Sequence, residues 1–313
     1  MSTTTIVFYH YVRDVERTAF PGIKALSVDG FRAQLDWLQA RYDVIDGATF
    51  SDAVLAGRRF NRPTALLTFD DGFVDHYDQV FPLLRERGLG GIFFLSGATL
   101  GPEPRLLNVH RTHFLLSSLG ADRFAAAAAA ALHAEGVATG AAAGRGGIYR
   151  YDEAADVRIK RVLNYEAPYP VVERVLSTLF EQHLGSSTTF ARSLYLSAAQ
   201  VREMASSGMT FGFHTETHPV LARLGRAEQH AELRRGVSLI RELTAQQHVS
   251  LCYPYGFPHT YDAHTLELLA ECGYSMAFNT VRRDARIGDD PRYELPRFDT
   301  RDVPRADEVP ARA

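Results

Sequence analysis

Cysteine is scarce in this chain: Cys252 and Cys272 are the only two in 313 residues. A pair on separate predicted elements makes no disulfide framework, and two cysteines alone make no zinc site. Lysine is scarce too. Of 34 basic residues only Lys24 and Lys160 are lysines, which reads as coding bias. Charge of one sign is lacking as well. The formal net charge of −3 gives no global basic field to attract nucleic acid. No stretch reaches the ~18 apolar residues of a membrane span. The opening Met1–His10 lacks the basic and then apolar regions of an export signal. That absence favours the cytoplasm, and a substrate made or met inside the cell. What remains is ordinary. Hydrophobic residues at 46 % and charged residues at 23 % suit a globular protein with a core of normal size. The length allows one large α/β domain or two small ones.

Short β-rich runs alternate with amphipathic helical stretches. Thr5–Tyr9, Thr64–Phe69, Gly91–Leu95, Met209–Phe213, Val249–Tyr253 and Tyr274–Phe278 read as strands. Val28–Tyr42 reads as a helix, with Phe31, Leu35 and Leu38 on one face. His76–Arg87, stopped by Gly88, is a second helix. Arg226–Gln246 and Asp262–Cys272 are others, and Ser197 with Gln200 is placed to form a capping box. Repeated β-α alternation points to a parallel sheet, open or closed into a barrel. The rhythm breaks between about 100 and 195. There an alanine run, Ala125–Ala131, predicts an exposed or lightly packed helix, Gly136–Gly147 a mobile loop, and Val171–Phe180 another helix. We read a single domain over 1–302 with a mainly helical insertion at about 100–195, and a tail over 303–313 that frays. Such an insertion either covers a site or decorates the surface, and the sequence favours neither.

Chemistry concentrates at predicted strand ends, where parallel α/β sheets bind ligands. Thr68-Phe69-Asp70-Asp71-Gly72 places two adjacent carboxylates there, facing different ways, with Gly72 permitting a sharp turn. The bland alternative is a strand end that caps the next helix. His214-Thr215-Glu216-Thr217-His218 follows another strand, and His-x3-His sets two imidazoles on one side of a helical turn. With 12 histidines the spacing alone proves little, but its place after a strand adds weight. One carboxylate and two histidines make a three-ligand metal site with positions open for water and substrate. Tyr253-Pro254-Tyr255-Gly256 supplies aromatic and proline residues able to wall a groove, or merely a turn with its own apolar cluster. His10 closes the first strand, where a lone histidine is more often structural. Arg297, in Leu295-Pro296-Arg297-Phe298, is able to pair with a carboxylate of the site.

Together these residues resemble the NodB-homology polysaccharide deacetylases of carbohydrate esterase family 4. Thr68–Gly72 matches the first motif of that family and His214–His218 its His-Ser/Thr-x-x-His motif. Tyr253–Gly256 matches the third motif as found in the exopolysaccharide-deacetylase branch. The resemblance covers residues 1–99 and about 196–300, and leaves the insertion unexplained. It implies a distorted (β/α)7 barrel and one divalent ion, Zn²⁺ first with Co²⁺ or Ni²⁺ as alternatives. Asp71, His214 and His218 would hold the ion, Asp70 would be the base, and Tyr253, Pro254, Tyr255 and Gly256 would line the substrate groove. Two departures matter. The family arginine that precedes the third motif is replaced by Val249-Ser250-Leu251-Cys252, so Arg297 is the candidate partner of Asp70. No late Leu-x-His motif is present. In the permuted branch, which resembles poly-N-acetylglucosamine deacetylases, an early Tyr-His motif takes over. Tyr9-His10 matches it, with His76 and His259 as rivals.

The expected reaction is hydrolysis of an N-acyl amide, N-acetyl first, on an amino sugar or glycan. A metal ion activates water and polarises the carbonyl. Asp70, kept ionised by Arg297, takes a proton. His10 donates one to the leaving amine, and the backbone N–H of Tyr255 helps hold the oxyanion. A deformylase or another C–N hydrolase acting on a non-polymeric metabolite is the alternative. A non-haem Fe(II) oxygenase also uses two histidines and a carboxylate, but in a different order and on an all-β scaffold. A carbohydrate-binding protein with a dead site is opposed by Asp70 and His10. The sequence leaves the oligomeric state open.

Overall fold

The strand segments are short, and five of the eight are buried throughout. β1 (Thr4–Tyr9) and β3 (Thr64–Phe69) are rich in β-branched and aromatic residues and wholly buried, as expected of interior strands in a parallel sheet covered on both faces. The computed structural model describes residues 3–137 and 154–303. After β1 come α1 (Val28–Gln39), β2 (Asp43–Ile45), α2 (Gly47–Leu55), β3, α3 (Phe81–Glu86) and β4 (Ile92–Leu95). Five helices follow: α4 (Asn108–Leu119), α5 (Ala121–Ala134), α6 (Ala154–Arg161), α7 (Tyr169–Leu184) and α8 (Ser187–Leu194). The alternation then resumes with α9 (Ala198–Ser206), β5 (Thr210–Phe213), α10 (Arg226–Leu233), α11 (Gly236–Thr244), β6 (Ser250–Cys252), α12 (Ala263–Glu271), β7 (Met276–Phe278) and β8 (Phe298–Asp299).

All strand pairs are parallel, in the order β7-β6-β5-β4-β3-β1-β8. β2 shares the edge of β3 with β4: it pairs with residues 64–66, and β4 with 68–69. Leu295 bridges to Phe278 while Phe298 pairs with Val7, so the segment 295–299 lies between β7 and β1. The result is the distorted (β/α)7 barrel that the resemblance implies. Period-two alternation sorts the side chains. Val7, Tyr9, Leu67, Phe69, Phe93 and Phe211 pack outward with Phe31, Leu35 and Leu38 of α1. Ile6, Leu66, Ile92, Phe94, Met276 and Phe278 turn the other way and meet Phe50 and Ala53 of α2. Asp70 continues the row of Leu66 and Thr68 and therefore faces the barrel interior.

Two sequence expectations need correction. Arg226–Gln246 is not one helix but two, broken at Arg234–Arg235, and α11 ends at Ala245 with a left-handed φ of 58°. His76–Arg87 begins with a π-helical turn, His76–Val80, before α3. The capping box of Ser197 and Gln200 is present. Between β4 and β5 the described residues are helical and share their own core. In it Phe114, Phe124, Leu132, Leu176 and Phe180 pack with Tyr11 and Phe73. The alanine run lies in α5, which buries Phe124, Ala128 and Leu132. The glycine-rich stretch from 138 onward and the tail from 304 lie outside the described residues. Among the described residues no helix is long and apolar enough to cross a membrane.

Candidate metal centre

Both carboxylates of the Asp-Asp-Gly turn are buried, each 3 % exposed. They diverge because the strand stops between them: Asp70 N–H still donates to Tyr9 O at 2.8 Å, whereas Asp71 has a φ of 75° and Gly72 one of 63°. A Cβ on Gly72 would also stand 2.7 Å from Leu95 Cδ2. Left-handed backbone at a non-glycine residue costs energy and tends to gather at functional sites. Of the five such residues among those described, Asp71, Thr215, His218 and Tyr255 lie here.

Asp71 Oδ1 stands 3.6 Å from His214 Nε2 and 3.6 Å from His218 Nε2. The oxygen has no hydrogen-bond partner. Two ligands, each ~2.0–2.1 Å from one tetrahedral ion, stand ~3.3 Å apart, so the spacing suits a divalent metal. His214 Nδ1 donates to Cys252 O at 2.7 Å, which fixes the tautomer and presents Nε2 as a lone pair. Burial lowers the pKa of His214, and burial together with His214 brings His218 down to about 3. Both rings are thus neutral, as ligands must be.

The His214–His218 segment is a bend with left-handed Thr215 and His218 at φ 63° and 61°, not the helical turn expected from the spacing. Thr215 Oγ1 accepts from His218 N–H at 3.0 Å, closing the turn locally. Glu232 accepts from Thr217 N–H and Oγ1–H at 2.8 and 2.7 Å. Ser96, just after β4, donates to His214 O at 3.0 Å.

Asp70 is held differently. Arg297 Nη1 and Nη2 donate to its two oxygens at 2.8 Å each. The guanidinium also reaches Thr68 Oγ1 at 3.1 Å, Cys252 Sγ at 2.9 Å and Asn279 O at 3.1 Å, so its donors are used. Burial would raise the Asp70 carboxyl, but the Arg297 charge and hydrogen bonds outweigh it and hold the group at about 2. Burial pushes the Cys252 thiol well up, so it stays protonated. Its closeness to Asp70, 3.4 Å, was not foreseen from the sequence.

His10 Nε2 is 3.9 Å from Asp71 Oδ2, and its side chain is 43 % exposed, so this edge of the site faces solvent. His76 does not compete with it. His76 is fully buried and its Nε2 donates to His10 O at 2.9 Å, beneath the residue whose role it was to rival. His259 lies against Phe257 and Tyr165. In the aromatic loop the four expected groove residues divide. Tyr255 packs on His218, ring centroids 5.1 Å apart. Gly256, at φ 68°, lets the chain pass Thr280, where a Cβ would be 2.6 Å from Cγ2. Pro254 is buried. Tyr253 is a correction: the residue is 1 % exposed, its ring stacks on Tyr261 at 4.0 Å, and its hydroxyl donates to Tyr293 O at 2.7 Å. It is a core residue and lines no groove.

One residue at the site came from outside the motifs. His110, on α4, lies with Nε2 3.3 Å from Asp71 Oδ2. The available signal was a histidine on an apolar helix face, one turn before Phe114 and beside Leu106 and Leu107.

The polysaccharide deacetylase family model matches residues 57–135 and 162–277, more than half of the chain. YxkH of Bacillus subtilis strain 168, named for a polysaccharide deacetylase, is 29% identical over 119 residues, covering 37% of this chain and 40% of that protein. Among solved structures the chain is similar to the Streptococcus pyogenes deacetylase PplD, at 17% identity and TM-score 0.57 over 95% of this chain and 92% of that one. It is similar to IcaB from Ammonifex degensii, at 19% and 0.58 over 95% and 91%. A de-N-acetylase from Aggregatibacter actinomycetemcomitans gives 16% and 0.58 over 96% of each chain. At such identities the structural likeness establishes the fold, and the family match carries the assignment: this chain belongs to the polysaccharide deacetylase family.

Proposed function

We propose that this chain is a metal-dependent hydrolase that removes an N-acyl group, N-acetyl first, from an amino sugar or glycan, leaving a free amine and a carboxylate. The observation that carries the reading is the unpartnered, buried Asp71 Oδ1 facing two neutral histidine nitrogens at 3.6 Å. Asp71, His214 and His218 would hold a divalent ion, Zn²⁺ first. Such an ion supplies a more acidic water and a polarised carbonyl.

The protein's own groups do the rest. Asp70 is ionised and held by Arg297, and it accepts a proton from the attacking water. His10, on the solvent-facing edge, donates a proton to the leaving nitrogen. The backbone N–H of Tyr255, beside His218, stabilises the oxyanion, and the Tyr255 ring offers a face to the sugar. Tyr253 has no part in this.

The test is a panel of N-acetyl and N-formyl amino sugars and oligosaccharides, assayed for released amine with the chain loaded in turn with Zn²⁺, Co²⁺ or Ni²⁺. Amine release that needs metal and proceeds without oxygen supports the reading. A requirement for oxygen would favour the Fe(II) oxygenase. Turnover of monomeric formamides alone would favour the deformylase.

A further inference from the structure

The helical segment is tied to the turn that carries Asp71. Tyr195, just after α8, forms an antiparallel bridge with Phe73. Val74 N–H donates to Leu194 O at 2.7 Å and Leu196 N–H to Gly72 O at 2.8 Å. From α7, Tyr169 Oη donates to Thr217 O at 2.9 Å, between the two candidate histidine ligands. These contacts join the helical segment to both turns that carry the candidate ligands.

At the centre of this junction is His110. Its side chain is fully buried, with Nε2 3.3 Å from Asp71 Oδ2 and Nδ1 2.6 Å from Tyr195 Oη. Tyr195 Oη accepts from Leu107 N–H at 3.1 Å. With that hydroxyl donating to His110 Nδ1, the ring hydrogen of His110 sits on Nε2, a buried atom that makes no hydrogen bond in the structure and has Asp71 Oδ2 beside it at 3.3 Å. The two oxygens of Asp71 have different surroundings: Oδ2 lies 3.3 Å from His110 Nε2 of the helical segment, and Oδ1 faces the two candidate ligand nitrogens at 3.6 Å. His110 is outside the donor group formed by Asp71, His214 and His218, whose ligand atoms all lie within 4.8 Å of one another.

We propose that His110 is a positioning residue: its Nε2–H holds Asp71 Oδ2 so that Oδ1 faces His214 and His218, with Tyr195 fixing the tautomer. The helical segment is then a working part of the metal site. The proposal rests on the metal-dependent reading above. It follows the general behaviour of groups that orient metal ligands, whose loss typically weakens metal affinity ~10–100-fold.

The test uses the full chain, stripped of metal and then titrated with Zn²⁺ against a chromogenic chelator, and separately loaded with Co²⁺ for its visible spectrum. His110→Phe should weaken Zn²⁺ binding ~10–100-fold and change the Co²⁺ bands. His110→Gln, whose amide N–H can reach the same oxygen, should restore affinity to within a few-fold. Tyr195→Phe should fall between. Unfolding midpoints of the metal-free proteins are measured alongside. If His110→Phe lowers that midpoint but leaves affinity and spectrum unchanged, the residue is merely structural and the proposal is overturned. Should His110→Phe fail to fold, Tyr195→Phe decides: weaker binding supports the proposal and unchanged binding overturns it. A wild-type chain that takes up neither ion would sink the metal reading itself, and this proposal with it.

Discussion

Arg297 reaches Asp70 across 227 positions of sequence and meets both of its carboxylate oxygens at 2.8 Å. The guanidinium lies 4.8 Å from the centre of the Phe8 ring and is itself fully buried. The fork and the plane matter as much as the charge here, because lysine offers neither.

Arg297→Met should therefore leave a buried carboxylate without a counter-charge and cost ~3–5 kcal/mol, the usual scale for breaking one side of a buried pair. Arg297→Lys should recover part of that. Urea unfolding of the three proteins checks it, and a Met variant within ~1 kcal/mol of wild type would show that the pair is not what orders Asp70.

Asp70→Asn should keep its metal, since Asp70 is not among the proposed ligands, while turnover falls at least ~10²-fold. It should also lose some stability, because Arg297 is left buried opposite a neutral amide. Metal-replete Asp70→Asn protein with near-wild-type turnover would remove Asp70 from the mechanism.

The stability of the metal-free chain should fall in two steps with acid. His76 is lowered from 6.5 to about 4 by burial. It is neutral in the fold while the unfolded chain takes up a proton, so stability drops as pH falls from 6.5 toward 4, by up to about 3 kcal/mol. Asp70 is lowered from 3.8 to about 2. Its contribution is present above about pH 4 and is lost as pH falls toward 2. Urea midpoints across this range should show both steps. In His76→Gln the first should be shallower, and a slope equal to wild type would mean that other groups, such as His218, account for all of it.

His10→Ala should lower kcat more than it raises KM, because proton donation counts only in the transition state. Substrates with a better leaving amine should suffer less. The comparison is made by steady-state kinetics on two N-acyl substrates of different amine basicity, and equal losses on both would point to a binding role.

The strand-end motifs were legible because period-two burial and glycine after a strand leave plain marks in sequence. Asp70–Gly72 and His214–His218 follow β3 and β5, and the barrel brings them face to face. The conformation of the histidine segment was not legible. Whether His-x3-His forms a helical turn or a bend with two left-handed residues depends on Glu232 and Ser96, which cap it from elsewhere in the chain. Tyr253 read as a groove residue because an aromatic side chain has the same sequence pattern facing a core or a site, and only the stacking on Tyr261 separates the two. His110 was invisible for a related reason. Its contact with Asp71 is set by where α4 docks, and that docking is fixed by the apolar packing of Phe114 and Leu115 rather than by any motif.

The central claim is that Asp71, His214 and His218 hold a catalytic divalent ion. The most direct measurement is Zn²⁺ stoichiometry and affinity by calorimetric titration of stripped wild-type chain beside Asp71→Asn and His214→Ala. The account predicts one tightly bound ion per wild-type chain and severe loss in both variants. A wild-type chain that binds no ion, or variants that bind as tightly as wild type, would contradict it.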